Sequence, residues 1–168
     1  MHAVDKAGRT DKLLPGSALH FVVFGIENQR YALRLPTVEQ VLRMVEVAPL
    51  PKAPAIVLGV VNFHGQIIPV VDIQRRFGHS ASNYGLTSCL LIARTSRRRM
   101  ALSVNEVLGV HEVALGAVTL PDAVFPGIGL VAGIAALPDG MLFIHNLDTF
   151  LSLDEEQGLT KALEGNTK

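Results

Sequence analysis

A chain of 168 residues, 49% hydrophobic and 18% charged, holds core material for one domain or two small ones and is too apolar for disorder. Fifteen basic and fifteen acidic residues cancel, so no net field draws the chain to nucleic acid or to an anionic membrane. No apolar run approaches the roughly 18 residues of a membrane-spanning helix, and the N-terminus has no apolar signal core. The expectation is a cytoplasmic protein without direct membrane insertion.

Residues 1–18 are mixed and polar and read as a flexible arm. Structure is expected from Leu19. The runs "LHFVVFGI" and "RYALRL", parted by Glu27, Asn28 and Gln29, form a β-hairpin signature. The segment after it, TVEQV, carries Val38 and Val41, and with Leu42 and Val45 the spacing i, i+3, i+4, i+7 also fits a helical turn. The stretch from Gly59 to Gly78, "GVVNFHGQIIPVVDIQRRFG", reads as a second hairpin turned at His64 and Gly65. Its Pro69 requires an edge or a bulge. Asp72 can cap a short helical turn through backbone N–H groups.

The pattern then repeats. "LLIARTSRRRMALSV", Leu90 to Val104, follows "FVVFGIENQRYALRL", Phe21 to Leu35, by 69 positions, and Val107 and Val110 answer Val38 and Val41. "GIAALPDGMLFIHNL" echoes "GVVNFHGQIIPVVDI", with Gly133, Gly140 and Asn146 answering Gly59, Gly65 and Asp72. This is an internal duplication of a unit made of hairpin, valine pair, connection and hairpin. Short strands in units of this size argue for small β-barrels. The expected fold is all-β: barrel 1 over about residues 19–72, barrel 2 over about 88–146, and a C-terminal helix over about 147–164. Asn146 is its expected N-cap, and Leu147, Phe150, Leu151 and Leu153 its apolar face.

Reactive groups do not converge. The six histidines show neither HExxH nor a Cys/His cluster, and Cys89, the one cysteine, precedes an apolar strand as a small buried thiol would. No nucleophile elbow or phosphate loop is present. "GIGLVAG", Gly127 to Gly133, has the wrong glycine spacing for a dinucleotide loop and reads as a connection. Neither catalysis nor a metal or other cofactor is indicated. Arg94, Arg97, Arg98 and Arg99 fall at a hairpin tip, where solvated charge is the default. They motivate the alternative reading, a duplicated-barrel module for nucleic acid or ribosomes, against which stand the zero net charge and nine aromatic residues.

The central stretch resembles the CheW-type coupling proteins of bacterial chemosensory arrays. Their pattern "G..NLRG.iiPVvDLr..fg" stands here as Gly59, Asn62, Phe63, His64, Gly65, Pro69, Val70, Asp72, Ile73, Phe77 and Gly78. The likeness extends over residues 19–153, including "VNEVLGV" and the closing "GIAALPDGMLFIHNLDTFL". The resemblance implies one domain of two five-stranded SH3-like barrels, with no activity and no cofactor. It implies a cytoplasmic adaptor, recruited to arrays, that bridges the tips of methyl-accepting chemoreceptors to the regulatory domain of a CheA-type histidine kinase. Carried over residue by residue, it implies partner contacts at Val38, Gln40, Val41, Gly59, Val60, Asn62, His64, Val107 and Val110. Val38, Val41, Val107 and Val110 are expected to line a partly exposed groove. Two departures stand out: His64 takes the place of the usual arginine, and Gln40 that of the usual acid, with Glu39 adjacent. An imidazole does not replace a bidentate guanidinium like for like, and the departures point to a divergent array.

Overall fold

The computed structural model describes residues 18–76, 87–119 and 131–165. The expected N-terminal arm, Phe77 and Gly78 of the central motif, and most of Gly127–Gly133 lie outside them. In chain order the strands are β1 (Ala18–Ile26), β2 (Gln29–Arg34), β3 (Val38–Arg43), β4 (Val57–Phe63), β5 (Gln66–Val71), β6 (Cys89–Arg94), β7 (Arg99–Val104), β8 (Glu106–Ala114), β9 (Val118–Thr119), β10 (Val131–Leu137) and β11 (Gly140–His145). Helix α1 (Ile73–Arg76) follows β5, and α2 (Leu153–Gly165) follows β11.

The strands form two sheets, a six-stranded one ordered β8-β1-β2-β11-β10-β9 and a five-stranded one ordered β3-β6-β7-β5-β4. The duplication is therefore real in three dimensions: β3, β6, β7, β5 and β4 occupy the places of β8, β1, β2, β11 and β10. Even the parallel pairs correspond, Val70 with Ala101 in one sheet and Ile144 with Ala32 in the other. Neither sheet closes into a complete barrel. In the five-stranded sheet, the chain beyond β3 crosses to β4 through a single bridge, Ala48 with Val60; in the six-stranded one, β9 makes the matching crossing to β10.

The expected division into contiguous halves, 19–72 and 88–146, is corrected by this topology. Hairpin β1–β2 pairs with strands of the second half, and hairpin β6–β7 with strands of the first. The exchange has a simple physical basis. The hairpins are equivalent copies, so each satisfies the strand edges of either half, and the Leu35–Thr37 turn with Pro36 carries the chain out of the first sheet into the second.

Exchange places both hairpins at the centre, which explains their nearly continuous apolar runs. Phe21 and Val23 fill the inside of the six-stranded sheet with Ala135 and Leu142; Leu90 and Ile92 fill the five-stranded one with Val61 and Ile68. The opposite faces, Val22, Phe24 and Ile26 with Leu91, Met100 and Leu102, pack against each other in a third cluster between the sheets. Strands buried on both faces lose polar alternation. Each fully buried Phe, Leu or Ile contributes on the order of 1.5–3 kcal/mol, so this shared cluster ties the sheets into one unit.

The helix begins later than expected. Asn146 caps only a 3-10 turn, Leu147–Thr149, its Oδ1 accepting from Asp148 N–H at 3.0 Å. The N-cap of α2 is Ser152, whose Oγ accepts from Glu155 N–H (3.1 Å) while Glu155 Oε1 accepts from Ser152 N–H (2.8 Å). This is a reciprocal capping box, written in the sequence as Ser152-Leu153-Asp154-Glu155. Leu147, Phe150 and Leu151 are buried as expected, whereas Leu153, one residue into the helix, is exposed. Asp72 behaves as expected: its Oδ1 accepts from Arg75 N–H at the start of α1. Cys89 is half-buried at the start of β6, its thiol donating to Thr87 C=O.

Candidate functional site

Val38 and Val41 lie three apart on β3, and the structure resolves their spacing as a β-bulge, not as a helical turn. Val38 pairs with Ala93, Gln40 with Ile92 and Val41 with Leu91, leaving Glu39 as the extra residue. The bulge resets the alternation, so both valines share the face of Leu91 and Ala93, which belongs to the inter-sheet cluster. Gln40 points to the other face. On β8 the same device recurs: Val107 pairs with Phe24, Gly109 with Val23 and Val110 with Val22, and Leu108 is the extra residue.

The four valines thus flank one apolar cluster from two equivalent sheet edges. Val38 and Val107 are half-buried and packed against it. Val41 and Val110 lie beyond, 42% and 55% exposed. Leu108 is exposed beside them. Bulges and twisted edges protect strands from indiscriminate pairing, while the exposed valines leave apolar surface for a shaped partner.

The remaining candidates lie on the hairpin β4–β5. Phe63 pairs with Gln66 across His64 and Gly65, which have φ of 52° and 85°. Two successive positive φ values make a type I′ turn, the tight turn whose twist matches a β-hairpin. His64 is exposed at the tip, its ring 4.3 Å from that of Phe63. Asn62 stabilises the turn, its Oδ1 accepting from Gly65 N–H at 2.9 Å. Val60 exchanges two backbone hydrogen bonds with Ala48, of 2.8 and 2.9 Å. At Gly59 a Cβ would stand 2.1 Å from the Ala48 carbonyl oxygen, so the close crossing of the chain explains this glycine. Gly59, Val60 and Asn62 accordingly hold the hairpin in place, and His64 and Asn62 are the residues of this group exposed at its tip.

The arginine tip of β6–β7 is engaged within the molecule. Arg99 Nε donates to Glu39 Oε1 at 2.6 Å, and Arg94 Nε lies 3.5 Å from Glu39 Oε2. The hydrogen bond from Arg99 holds the Glu39 carboxyl below the usual range, against a smaller opposing effect of desolvation. Arg98 Nε donates to the buried Glu156 of α2 at 3.0 Å and its Nη2 to Thr160 Oγ1 at 2.7 Å. Among the described residues, Arg97 alone of the four has no side-chain hydrogen bond or ion pair. These long-range pairs were not visible in the sequence.

Among the described residues no group of three or more His, Cys, Asp and Glu could hold a metal, and no helix is long and apolar enough to cross a membrane. His145 is buried between the rings of Tyr31 and Phe150.

Residues 20–155 match the CheW-like domain family. The chain belongs to that family. It is similar to the chemotaxis protein CheW of Rhizobium meliloti, 23% identical over 148 residues that cover 87% of this chain and 96% of the relative. It is 33% identical over 90 residues to the chemotaxis protein CheW of Thermotoga maritima, covering 54% of this chain and 59% of that one. The crystal structure of the scaffolding protein TtCheW from Thermoanaerobacter tengcongensis superposes with a TM-score of 0.75 at 26% identity, over 84% of this chain and 96% of the other. CheW-like proteins are scaffolds and adaptors of chemotaxis, not enzymes.

Proposed function

We propose that this chain is a cytoplasmic adaptor that couples the tips of methyl-accepting chemoreceptors to the regulatory domain of a CheA-type histidine kinase, in a divergent chemosensory array. The observation that carries this reading is the pair of equivalent bulged edges, β3 and β8, each presenting one exposed valine next to a half-buried one on the rim of the inter-sheet cluster. A helical hairpin can lay an apolar ridge along such a rim, and a duplicated frame offers two such places. The replacement of the acid by Gln40 alters the polar margin of the β3 edge, that of arginine by His64 alters the β4–β5 turn, and both leave the valines intact.

The nucleic-acid reading loses its motivation, since Arg94 and Arg99 pair with Glu39, and Arg98 with Glu156. The test is titration of the purified chain with a receptor tip, with the kinase regulatory domain and with single-stranded RNA, at about 50 and 200 mM salt. Coupling requires that both proteins bind with affinities that change little with salt. RNA binding that collapses between the two salt concentrations, without binding of either protein, would replace this reading with the alternative.

A further inference from the structure

Arg99 stands where it can act on two of the segments just described. It opens β7 at the end of the five-stranded sheet, where Glu39 of β3, Arg94 of β6 and Gln66 of β5 also lie. Alternation places Arg94 and Arg99 on the same face as Ile92 and Ala101, and Gln66 on the face of Ile68, so all three rim the mouth above that sheet's inner cluster. From there the Arg99 guanidinium reaches in two directions. Nε and Nη2 donate to the two carboxylate oxygens of Glu39, at 2.6 and 3.5 Å, and Nη1 donates to Gln66 Oε1. Glu39 is the bulge residue between Val38 and Gln40; Gln66 closes the turn that carries His64.

The duplicated copy supplies an internal control. Arg30 precedes Arg99 by the same 69 positions that relate the two hairpins. It too reaches the tip of the neighbouring hairpin, donating through Nη1 and Nη2 to Asp139 in the β10–β11 turn at 3.3 and 3.1 Å. On that side, however, the bulge residue is the apolar Leu108, which offers no acceptor. One arginine holds a tip; its counterpart holds a tip and an edge.

We infer that Arg99 is a positioning residue for the candidate docking surface, a clamp that fixes the β3 edge and the His64 turn relative to each other across the mouth of the five-stranded sheet. This deepens the coupling reading and rests on it for its consequence, but not for its geometry. The clamp also defines the role of Glu39: its carboxylate is committed to Arg99 and Arg94 and does not stand in for the acid missing at Gln40.

Amide hydrogen exchange on the full chain tests the clamp. In Arg99→Ala, amides of 38–43 and of 62–66 are expected to exchange about tenfold faster together, with β1 and α2 unchanged. Arg30→Ala is expected to loosen only the 138–141 turn, leaving β8 as it was. Arg99→Lys, a point charge without the planar fork, should restore protection of β3 and leave the His64 turn fast. Should Arg99→Ala fail to fold, Glu39→Gln and Gln66→Ala cut the two arms separately. Glu39→Gln should loosen β3, and Gln66→Ala the turn. Unchanged exchange in either segment of Arg99→Ala, or in both single-arm variants, overturns the clamp. With the same proteins, affinity for the receptor tip is expected to fall about tenfold in Arg99→Ala. A wild-type chain that binds neither partner would remove the coupling function while the exchange data still decide the clamp.

Discussion

Strands β3 and β8 occupy equivalent edges, share a bulge at the equivalent position and point equivalent valines at the same cluster, yet they present different surfaces. On β3 the bulge residue is Glu39, fixed by two arginines; on β8 it is Leu108, 38% exposed, followed by Gly109 at φ 105°. One edge has a charged margin locked from within the protein. The other is apolar and free of that lock. Duplication thus supplied one frame, and divergence at the bulge residue made two unlike surfaces from it, which is what a protein needs if it is to hold two different partners at once.

The frame itself provides the largest expected effect. Gly59 and Gly133 both let a crossing segment approach, but a Cβ at Gly59 would meet a backbone carbonyl at 2.1 Å, whereas at Gly133 it would meet a Val118 methyl at 2.9 Å. Gly59→Ala should therefore cost about 3 kcal/mol and Gly133→Ala about 1 kcal/mol, read from urea unfolding midpoints. Equal costs would mean that the two crossings are equally tolerant and that the equivalence is closer than the contacts imply.

The valines come next. Val38→Asp and Val107→Asp each place a charge against the inter-sheet cluster and should cost about 2 kcal/mol of stability, so they are poor probes of binding alone. Val41→Asp and Val110→Asp, at exposed positions, should stay within about 0.5 kcal/mol of wild type. Thermal unfolding of the four variants separates the inner pair from the outer one.

Acid should act on β3 and spare β8. The Glu39 carboxyl lies below its ordinary value because of its hydrogen bond from Arg99. Its contribution to stability is complete above the unfolded value of 4.5 and is lost as pH falls through the lower folded value. In α2, burial works to raise the Glu155 carboxyl, but the hydrogen bonds from Arg76 and Ser152 prevail and lower it, with the same sign and the same onset. Hydrogen exchange below pH 4.5 should show β3 and the start of α2 loosening before β8. Glu39→Gln should remove the β3 part of that response.

The smallest effect lies at the turn. His64 occupies a left-handed conformation that asparagine adopts more readily, so His64→Asn should stabilise the chain by about 0.5 kcal/mol. His64→Arg, restoring a permanent charge at the tip, should tighten partner binding by about 1 kcal/mol or less without changing stability. Titration calorimetry with each partner reads the second effect.

Much of this was legible from local pattern. The hairpins, the duplication, the turn at His64 and Gly65, and the cap at Asp72 all follow from residue type and spacing over a few positions, whereas Asn146 caps a 3-10 turn and not the helix expected of it. The capping box at Ser152 and Glu155 was equally local, but the apolar run from Leu147 to Leu151 drew the helix start forward. What pattern does not encode is which copy pairs with which, because equivalent hairpins satisfy either edge. A three-residue valine spacing likewise fits a helical turn or a bulge, and only pairing with β6 decides. The Glu39 to Arg99 pair spans 60 positions, so nothing in either neighbourhood announces it.

The docking surfaces are tested most directly by the affinity of the receptor tip and of the kinase regulatory domain for wild type, Val41→Asp and Val110→Asp, under conditions where all three are fully folded. If the two edges serve unlike partners, wild type binds both, and each variant loses roughly tenfold or more toward one partner while keeping the other within about twofold. Variants that bind both partners as wild type does would show that the exposed valines of β3 and β8 are not the docking surfaces.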